Sequence, residues 1–572
     1  MFVVHRAESG TVLAEELARL LADPLEDPFA PEIVAVPAKG VERWLTQRLS
    51  LRLGTSRLDG VAPNDGVCTN VVFPSPRQLL EDTVAESSPD LGERLAMWAP
   101  PRLTWSVLAA LDENLDEEWC RLPRQYLFPN DAGEDGASDR RLSFAARVAR
   151  LFDAYAHSRP EMLARWATGE YVHSDGSPLA APEQWQPRLW RSVLGVLGGT
   201  SPVDLHTRLV EEVRTHPKRL ALPRRLSVFG PSRVTRRNLE MFHALAEHRD
   251  VHLWLHHGSP ALWESASRSP VVVRRSEDIT PVSNPLLRSL SRDVRELQML
   301  LRTYAPDHTS VHHPSPVRSE DADLLRKVRG DLATDTVPET PAALGAADRS
   351  VQVHACHGRT RQVEVLRDVV VGLLADDPTL EPRDVLVMCP DIETFAPLLS
   401  AVFAPSSSDH ETHPAEQIRV HIADRALHQS NPVLGVLDAL LEFGTARHTA
   451  NELLGFAELP GVARRFQWDD QTREQLGAWT RASNVRWGLN DADRSQWQLD
   501  RVTDGTWRHG VDRLLLGAAF DAANDDTRPV AQLLPAEDID SADLDLLGRF
   551  AEFLDRVYAA QSLLTQPHTA TE

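Results

Sequence analysis

The chain contains very little lysine. Of its 61 basic residues only three are lysines, Lys39, Lys218 and Lys327, and none lies in a Gly-Lys-Ser/Thr sequence. A phosphate-loop ATPase needs that lysine on the β- and γ-phosphates, and a restriction-like nuclease needs a Glu-x-Lys pair beside its metal. Neither pattern occurs in the sequence. The chain therefore lacks a catalytic phosphate loop and a nuclease centre of these two types.

Cysteine is also scarce. The chain has four cysteines, which are far apart and form no Cys-x-x-Cys pair. They are Cys68, Cys120, Cys356 and Cys389. This spacing argues against a disulfide framework and against a zinc site built on paired ligands. His354 and Cys356 alternate along a predicted strand without a second ligand pair, so we predict no metal site.

Long apolar stretches are missing as well. No run of eighteen apolar residues exists, and the first residues show no basic segment followed by an apolar one. A membrane span would need the long apolar run, and a secretory leader would need the basic segment followed by an apolar one. We therefore expect a cytoplasmic protein without a membrane anchor.

Positive charge is outweighed by negative charge, with a formal net charge of −22. This balance argues against DNA binding over the whole surface, because neutralised phosphates supply much of nucleic-acid affinity. The basic residues are nearly all arginines, in pairs such as Arg224-Arg225 and Arg236-Arg237. Arginine suits phosphate contacts and base stacking. Two interpretations of the arginine content are therefore left. One is a basic channel through an acidic body, and the other is a general preference for arginine over lysine.

The sequence does carry the pattern of an α/β protein. Strand, loop and helix follow one another over residues 2–20 and again over 32–53, which is typical of parallel sheets. Similar strands are predicted at 350–355 and 385–389. We predict two helicase-like lobes with phosphate-loop-type parallel sheets and helical insert subdomains. Their predicted bounds are 1–75 and 210–306 for lobe 1A, 76–209 for the helical insert 1B, 307–349 for a linker, 350–428 for lobe 2A, and 429–572 for the start of a helical domain 2B.

The first strand–helix junction lies where a helicase-type ATPase carries its phosphate loop. It consists of Glu8, Ser9, Gly10 and Thr11, and we interpret the last three as a degenerate phosphate loop. No carboxylate follows the predicted strand that ends at Phe229, where a motor would hold magnesium. We predict no catalytic residue in this chain.

Fourteen tryptophans are present, and several are neighbours of arginine. Such pairs can stack on bases, although most large aromatic residues belong to cores. Arg486 and Trp487 lie in a polar, loop-like context. They are therefore our preferred candidates for base stacking.

With these residues in place, the chain resembles the RecC family, the gamma subunits of exodeoxyribonuclease V (RecBCD). The resemblance rests on short sequences in the same order, from about residue 2 to 520. They include Asp-Pro-Phe-Ala-Pro-Glu at 27–32, Leu-Phe-Asp-Ala-Tyr at 151–155, Asn-Pro-Leu-Leu at 284–287, His-Ala-Cys-His at 354–357 and Val-Arg-Trp-Gly at 485–488.

The resemblance implies a superfamily 1 helicase fold with a decayed motor. It implies RecB and RecD as partners in a heterotrimer, and single- and double-stranded DNA as ligands. ATP and Mg²⁺ would be used by the partner subunits and not by this chain. It also implies a channel that reads the Chi recombination signal, onto which Leu151, Phe152, Asp153 and Arg159 carry over. We place Arg486 and Trp487 with these DNA-binding candidates.

The chain departs from the family pattern in two respects. Ser75 and Glu81 stand where the family has apolar residues, so the preferred signal differs or is lost. RecC subunits are also considerably longer, so we expect a fragment or a truncated gene product. Two alternatives stay open: a protein-interaction scaffold without DNA contact in this truncated form, and a fragment of an AddB-like helicase/nuclease subunit.

Overall fold

The computed structural model describes residues 1–27, 29–54, 66–128, 134–231, 233–268, 282–315, 323–343, 345–404, 418, 420–422, 431–444, 446–520, 529–530, 532–536, 539 and 541–566. The chain divides into two compact units, Met1–Val353 and His354–Glu572. Each unit is described by itself.

A parallel sheet forms the centre of the first unit. Its six described strands are β1 (Phe2–Ala7), β2 (Glu32–Ala35), β3 (Val71–Val72), β4 (Arg225–Phe229), β5 (Asp250–His256) and β6 (Thr309–His312). The order across the sheet is β3-β2-β4-β5-β1-β6, and each neighbouring pair is parallel. The strands therefore all end at the same edge, where the loops after β1, β5 and β6 come together.

The central strands are buried on both faces, which explains their continuous apolar sequences. All of β4 is buried, as are the five residues 251–255 of β5. One face of the sheet is covered by α1 (Gly10–Leu21) and α2 (Lys39–Ser50), whose leucines recur at helical spacing. The predicted α/β class with a parallel sheet is confirmed.

A helical region follows β3 in the sequence. It consists of α3 (Pro76–Ser87), α4 (Pro89–Ala96), α5 (Pro100–Asn114), α6 (Arg121–Leu127), α7 (Glu134–Ser158), α8 (Pro160–Ala167), α9 (Trp185–Val196) and α10 (Pro202–Thr215). Five of these helices begin with proline, whose missing N–H would have no intrahelical partner in the first turn. Their shared core contains Trp98, Phe152, Trp166 and Trp190.

Five further helices complete the first unit: α11 (Arg236–Ala246), α12 (Pro260–Arg268), α13 (Pro285–Leu290), α14 (Arg292–Tyr304) and α15 (Leu324–Thr334). Strand β6 and helix α15 lie inside 307–349, which the sequence had indicated as a linker. Because β6 pairs with β1 and α15 packs on α12, that prediction is corrected. The strand was missed because Thr-Ser-Val-His is a polar sequence, as is common for a sheet edge.

The second unit is helical in its described part. Its helices are α16 (Arg359–Asp376), α17 (Ile392–Val402), α18 (Pro432–Phe443), α19 (Ala450–Ala457), α20 (Pro460–Phe466), α21 (Asp470–Ala482), α22 (Trp507–Ala519) and α23 (Leu544–Thr565). Its main core contains Trp468, Trp479, Trp507, Phe550 and Phe553. Across both units, short 3₁₀ helices lie at Glu118–Cys120, Ala181–Glu183, Pro217–Arg219, Pro382–Asp384, Ala492–Trp497 and Ser541–Asp543.

The strands predicted at 350–355 and 385–389 are not formed. Both segments are described, and neither has regular secondary structure or a strand partner among the described residues. The helices predicted after them are present as α16 and α17. The boundary predicted at 428–429 lies outside the described residues. None of the described helices combines the length and apolar character needed to cross a membrane.

Candidate functional site

The β1–α1 loop lies at the edge where the strands end. Ser9 is the N-cap of α1, and Gly10 and Thr11 are its first two residues. The backbone carbonyl of Glu8 accepts a 3.1 Å hydrogen bond from Nε2 of His256, the last residue of β5. The predicted strand–loop–helix is therefore present, and the loop is held by the neighbouring strand.

The carboxylate of Glu8 accepts hydrogen bonds from the end of β6. Nε2 of His312 donates to Oε1 at 2.7 Å, and the backbone N–H of Ser315 donates to Oε2 at 3.1 Å. The side chain is only 12% exposed. Burial acts to raise the pKa of Glu8, but these hydrogen bonds outweigh it and the net shift is downward. A fixed negative charge thus lies in the loop where a motor would bind phosphate.

Helices α7 and α8 carry the first group of predicted DNA contacts. Leu151 is half-buried, whereas Phe152 is fully buried and packs edge-to-face on Trp190 with ring centroids 5.2 Å apart. A side chain enclosed in this way cannot reach a strand without opening the helical core. The prediction of Phe152 as a DNA contact is therefore corrected, and its role is to support the helix.

Asp153 and Arg159 remain accessible. Asp153 is about one third exposed and lies 3.4 Å from Nδ1 of His157. Arg159 is the N-cap of α8, and its guanidinium carbon lies 5.5 Å from the ring centre of Tyr155. Among the described residues, no carboxylate lies within ion-pair distance of Arg159. The two residues therefore do not neutralise one another, and the arginine is available to an anion.

A polar cavity of about 60 Å³ lies beside this segment, between α7, α10 and α11. Its lining includes His206, Arg236, Arg237 and Glu240. Nδ1 of His206 accepts a 3.2 Å hydrogen bond from Nε of Arg237, and Nε2 donates to Glu240 at 3.2 Å. Burial lowers the pKa of the Arg237 guanidinium, and the Asp153 carboxylate is the strongest charge opposing this shift. Arg237, one member of the arginine pair in the sequence, thus lies close enough to Asp153 to interact with its charge.

Arg486 and Trp487 belong to a cluster in the second unit. Arg486 is exposed, and Trp487 packs against Trp497 with ring centroids 5.1 Å apart. The guanidinium of Arg494 lies 4.6 Å from the centre of the Trp487 ring, and that of Arg447 lies 5.2 Å from the Trp497 ring. We call these five residues the Trp–Arg cluster. Both indoles are half-buried, so each keeps part of its surface open.

Within this cluster Arg494 has a structural role. It is 3% exposed and donates to three backbone carbonyls, those of Trp487, Val502 and Asp504, at 2.6, 2.7 and 2.9 Å. Trp497, Arg447 and Arg494 are not predicted from the sequence. The only sequence signal for them is their residue type, because it is the chain fold that brings them to Trp487.

Two family models match the chain. The model for the RecC N-terminal domain covers residues 2–335, and the model for the fourth domain of the RecBCD enzyme subunit RecC covers residues 430–572. The chain belongs to the RecC family. The resemblance inferred from the short sequence motifs is thereby confirmed.

Curated relatives agree with this assignment. The RecBCD enzyme subunit RecC of Mycobacterium tuberculosis is 40% identical over 563 residues, and that of Mycolicibacterium smegmatis is 41% identical over 570 residues. Each alignment covers 97% of this chain and 49% of the relative. The subunit of Escherichia coli is 27% identical over 578 residues, covering 93% of this chain and 48% of its own length. The RecC-family chain therefore spans about half the length of these relatives.

Proposed function

We propose that this chain is a non-catalytic DNA-binding and scaffolding part of a RecBCD-type helicase–nuclease. It would guide DNA strands and scan for a Chi-like signal during double-strand-break repair by homologous recombination. The observation that carries the non-catalytic part is the Glu8 carboxylate. It occupies the β1–α1 loop as a nearly buried, hydrogen-bonded anion, and an anion there repels the phosphates that a motor loop attracts.

The proposed partners are RecB and RecD subunits in a heterotrimer in the cytoplasm, with ATP and Mg²⁺ used by those subunits. The relatives are named as RecC subunits of the RecBCD enzyme, which supports this assembly. We also propose that residues 350–428 belong to a second degenerate helicase-like lobe. The order of apolar segment, helix, apolar segment and helix supports this proposal.

The proposed DNA contacts lie in both units. In the first, Arg159 would bind a phosphate or a guanine edge, Asp153 would accept from a cytosine amino group, and Leu151 would contact a base. In the second, Arg486 and Trp487 would hold and stack on a single strand. The support is accessibility, since these side chains are half-buried or exposed and Arg159 has no carboxylate partner in the described chain.

The absence of catalysis is tested by the ATPase activity of the purified chain. We expect no turnover above a blank preparation, with and without single-stranded DNA. ATP hydrolysis that is abolished by Thr11→Ala would refute the proposal, because Thr11 lies in the degenerate loop and a contaminating ATPase would not respond to its change.

DNA binding is tested by fluorescence anisotropy with a labelled single-stranded oligonucleotide at several salt concentrations. Loss of one phosphate contact should reduce the slope of log affinity against log salt by about 0.7. We expect this reduction for Arg159→Ala. The matched control is Arg19→Ala, which removes an exposed arginine paired with Glu16 in the same unit. Equal binding by both variants and the parent chain would contradict a contact at Arg159.

A second candidate function is a protein-interaction scaffold without DNA contact. Helix α18 favours it, because Val433, Leu437 and Leu441 form an exposed apolar stripe at i, i+4 and i+8. Their exposed fractions are 71%, 51% and 57%. The anisotropy experiment decides between the candidates, since a pure scaffold would show no salt-dependent binding to the oligonucleotide.

A further inference from the structure

The start of helix α14 lacks the hydrogen bonds that usually complete the first turn of a helix. Among the described residues, the backbone N–H groups of 292–294 donate to no carbonyl and to no side chain. Ser291 is the N-cap, but its hydroxyl accepts no hydrogen bond from this turn. The N-cap serines of α3 and α10, Ser75 and Ser201, do accept one. The first turn of α14 therefore keeps its N–H donors and the positive end of the helix dipole.

The hydroxyl of Ser291 has no partner either. The residue is only 5% exposed, and its Oγ makes no hydrogen bond in the described part of the chain. A buried hydroxyl without a partner is unfavourable, and an ion or a water that supplies the hydrogen bond is the usual explanation. The N-cap side chain lies beside the N–H groups of the first turn. One bound anion would therefore satisfy both the hydroxyl and these N–H groups.

Three arginines lie at the junction of α13 and α14. They are Arg288, Arg292 and Arg295, and their spacing of i, i+4 and i+7 is that of one helix face. Nη2 of Arg295 donates to the carbonyl oxygen of Arg288 at 3.4 Å, so the side chains bridge the two helices. Arg288 and Arg292 are exposed, and Arg295 is half-buried. We call these three residues the arginine triad.

The positive charge of the arginine triad is not compensated. Within the described ranges, no carboxylate lies at ion-pair distance from any of its members. Burial lowers the pKa of the Arg295 guanidinium, the charges of Arg292 and Arg288 lower it further, and the Asp335 carboxylate opposes the shift. The three guanidinium groups therefore repel one another, and an anion between them would stabilise all three.

The carboxylates near the arginine triad have other partners. Asp335 accepts hydrogen bonds from the backbone N–H groups of Ser283 and Asn284, at 3.2 and 2.9 Å. Asp293 lies in the first turn of α14 and pairs with Arg233 at 3.4 Å. Glu296, one turn further on, is not free either. The side chains of this region thus leave the triad without a counterion.

We infer that the arginine triad and the first turn of α14 form a phosphate-binding site. The guanidinium fork matches the oxygens of a phosphate, and N–H groups at a helix start bind the same anion. A site of this kind takes either the backbone phosphates of a nucleic acid or the phosphates of a free nucleotide. None of the DNA-binding candidates named above belongs to it. Only the nucleic-acid source rests on the proposed function, and the site itself does not.

Chemical labelling of arginine by phenylglyoxal, read out by peptide mass spectrometry, tests the inference. The 572-residue chain is labelled at constant ionic strength while one of four probes is titrated: pyrophosphate, ATP, a single-stranded oligonucleotide or polyglutamate. At about ten times its dissociation constant, a bound probe should slow the labelling of Arg288 and Arg292 about tenfold, because only about a tenth of the sites remain free. The internal reference is Arg19, an exposed arginine paired with Glu16, whose labelling should not change.

The four probes distinguish the sources of phosphate. Protection by the oligonucleotide at lower concentration than by ATP identifies backbone phosphates, and the reverse order identifies a free nucleotide. If pyrophosphate protects the arginine triad while the chain binds no oligonucleotide, the proposed DNA binding is refuted and the phosphate site stands. The inference is overturned if no phosphate compound protects Arg288 and Arg292. Equal protection by polyglutamate overturns it as well, because the site would then bind an acidic polypeptide.

Substitutions give a second test. Arg288→Ala and Arg292→Ala change exposed side chains, and each should weaken the protecting probe by about tenfold or more, the loss expected for a hydrogen bond to a charged group. Arg292→Lys keeps the charge without the planar fork, so it should recover only part of this affinity. The matched control Arg19→Ala should bind as the parent chain does. Parent-like affinity in both triad variants, with folding verified by circular dichroism, would contradict the inference.

Discussion

Nε2 of His312 donates a 2.7 Å hydrogen bond to Oε1 of Glu8 and so connects the end of β6 to the β1–α1 loop. The two residues are 304 positions apart in the sequence. In a motor the corresponding loop must stay open to receive phosphate. Here the chain's own carboxylate is held in the β1–α1 loop and is only 12% exposed.

Glu8→Gln should destabilise the chain by about 1–3 kcal/mol at pH 7, because it weakens hydrogen bonds to a nearly buried charge. The folded-state pKa of Glu8 is lowered, so its contribution is present above the unfolded pKa of about 4.3 and is lost as pH falls through the folded pKa. The difference from the parent should therefore shrink below about pH 4. Urea denaturation at pH 7 and in acid measures it. Glu247→Gln, at an exposed ion pair, is the control, and an equal effect in both variants would contradict the prediction.

A row of three imidazoles crosses the sheet from β5 to the end of β6. Nε2 of His5 lies 3.0 Å from Nδ1 of His252, and its Nδ1 lies 3.0 Å from Nε2 of His313. The His5 ring also stacks on Trp254 with centroids 3.9 Å apart. Burial, followed by the charges of its two histidine neighbours, lowers the pKa of His5 to about 3. Burial lowers the pKa of His252 to about 4.

Because of these three histidines, the free energy of unfolding should decrease as the pH is lowered. Below about pH 6.5 the unfolded chain protonates these histidines while the folded chain does not, so each costs about 1.4 kcal/mol per pH unit until its folded pKa is reached. His5→Phe should make the fall between pH 6.5 and 4 shallower, as urea denaturation at several pH values would show. The control His216→Phe changes an exposed histidine and should keep the parent slope. If the unfolding free energy of His5→Phe depends on pH as steeply as that of the parent chain, the histidine row is not the cause of the pH dependence.

Trp487→Ala should weaken single-strand binding by about 1–3 kcal/mol if a base stacks on the Trp–Arg cluster. Its half-buried indole and the exposed Arg486 beside it are the structural reason. The control is Trp105→Ala, which removes an indole that is 61% exposed in the first unit. Anisotropy with the labelled oligonucleotide measures both, and far-UV circular dichroism verifies folding. Equal affinities for the two variants would exclude stacking at Trp487.

The sequence predicted those elements whose signal is local. Strands β4 and β5 are continuous apolar runs, and α1 has leucines at helical spacing, so all three could be located. Strand β6 could not, because its polar residues become a strand only by pairing with β1. The apolar segments at 351–355 and 385–389 were predicted as strands because their local signal is strong, but neither has a pairing partner among the described residues. The same limit applies to the site: Glu8 is visible in the sequence, but its bond to His312 is not.

The second unit contains a buried pair whose loss should be costly. Nδ1 of His448 lies 2.8 Å from Oδ2 of Asp493, its Nε2 lies 2.9 Å from the carbonyl oxygen of Phe443, and the two side chains are 1% and 5% exposed. Asp493→Asn exchanges a carboxylate for a weaker amide acceptor in this buried pair, so it should cost about 1–3 kcal/mol. Asp512→Asn breaks an exposed pair with Arg508 and should cost under about 1 kcal/mol. Urea denaturation measures the free energy of unfolding of both variants, and similar losses would show that the buried pair contributes no more than the exposed one.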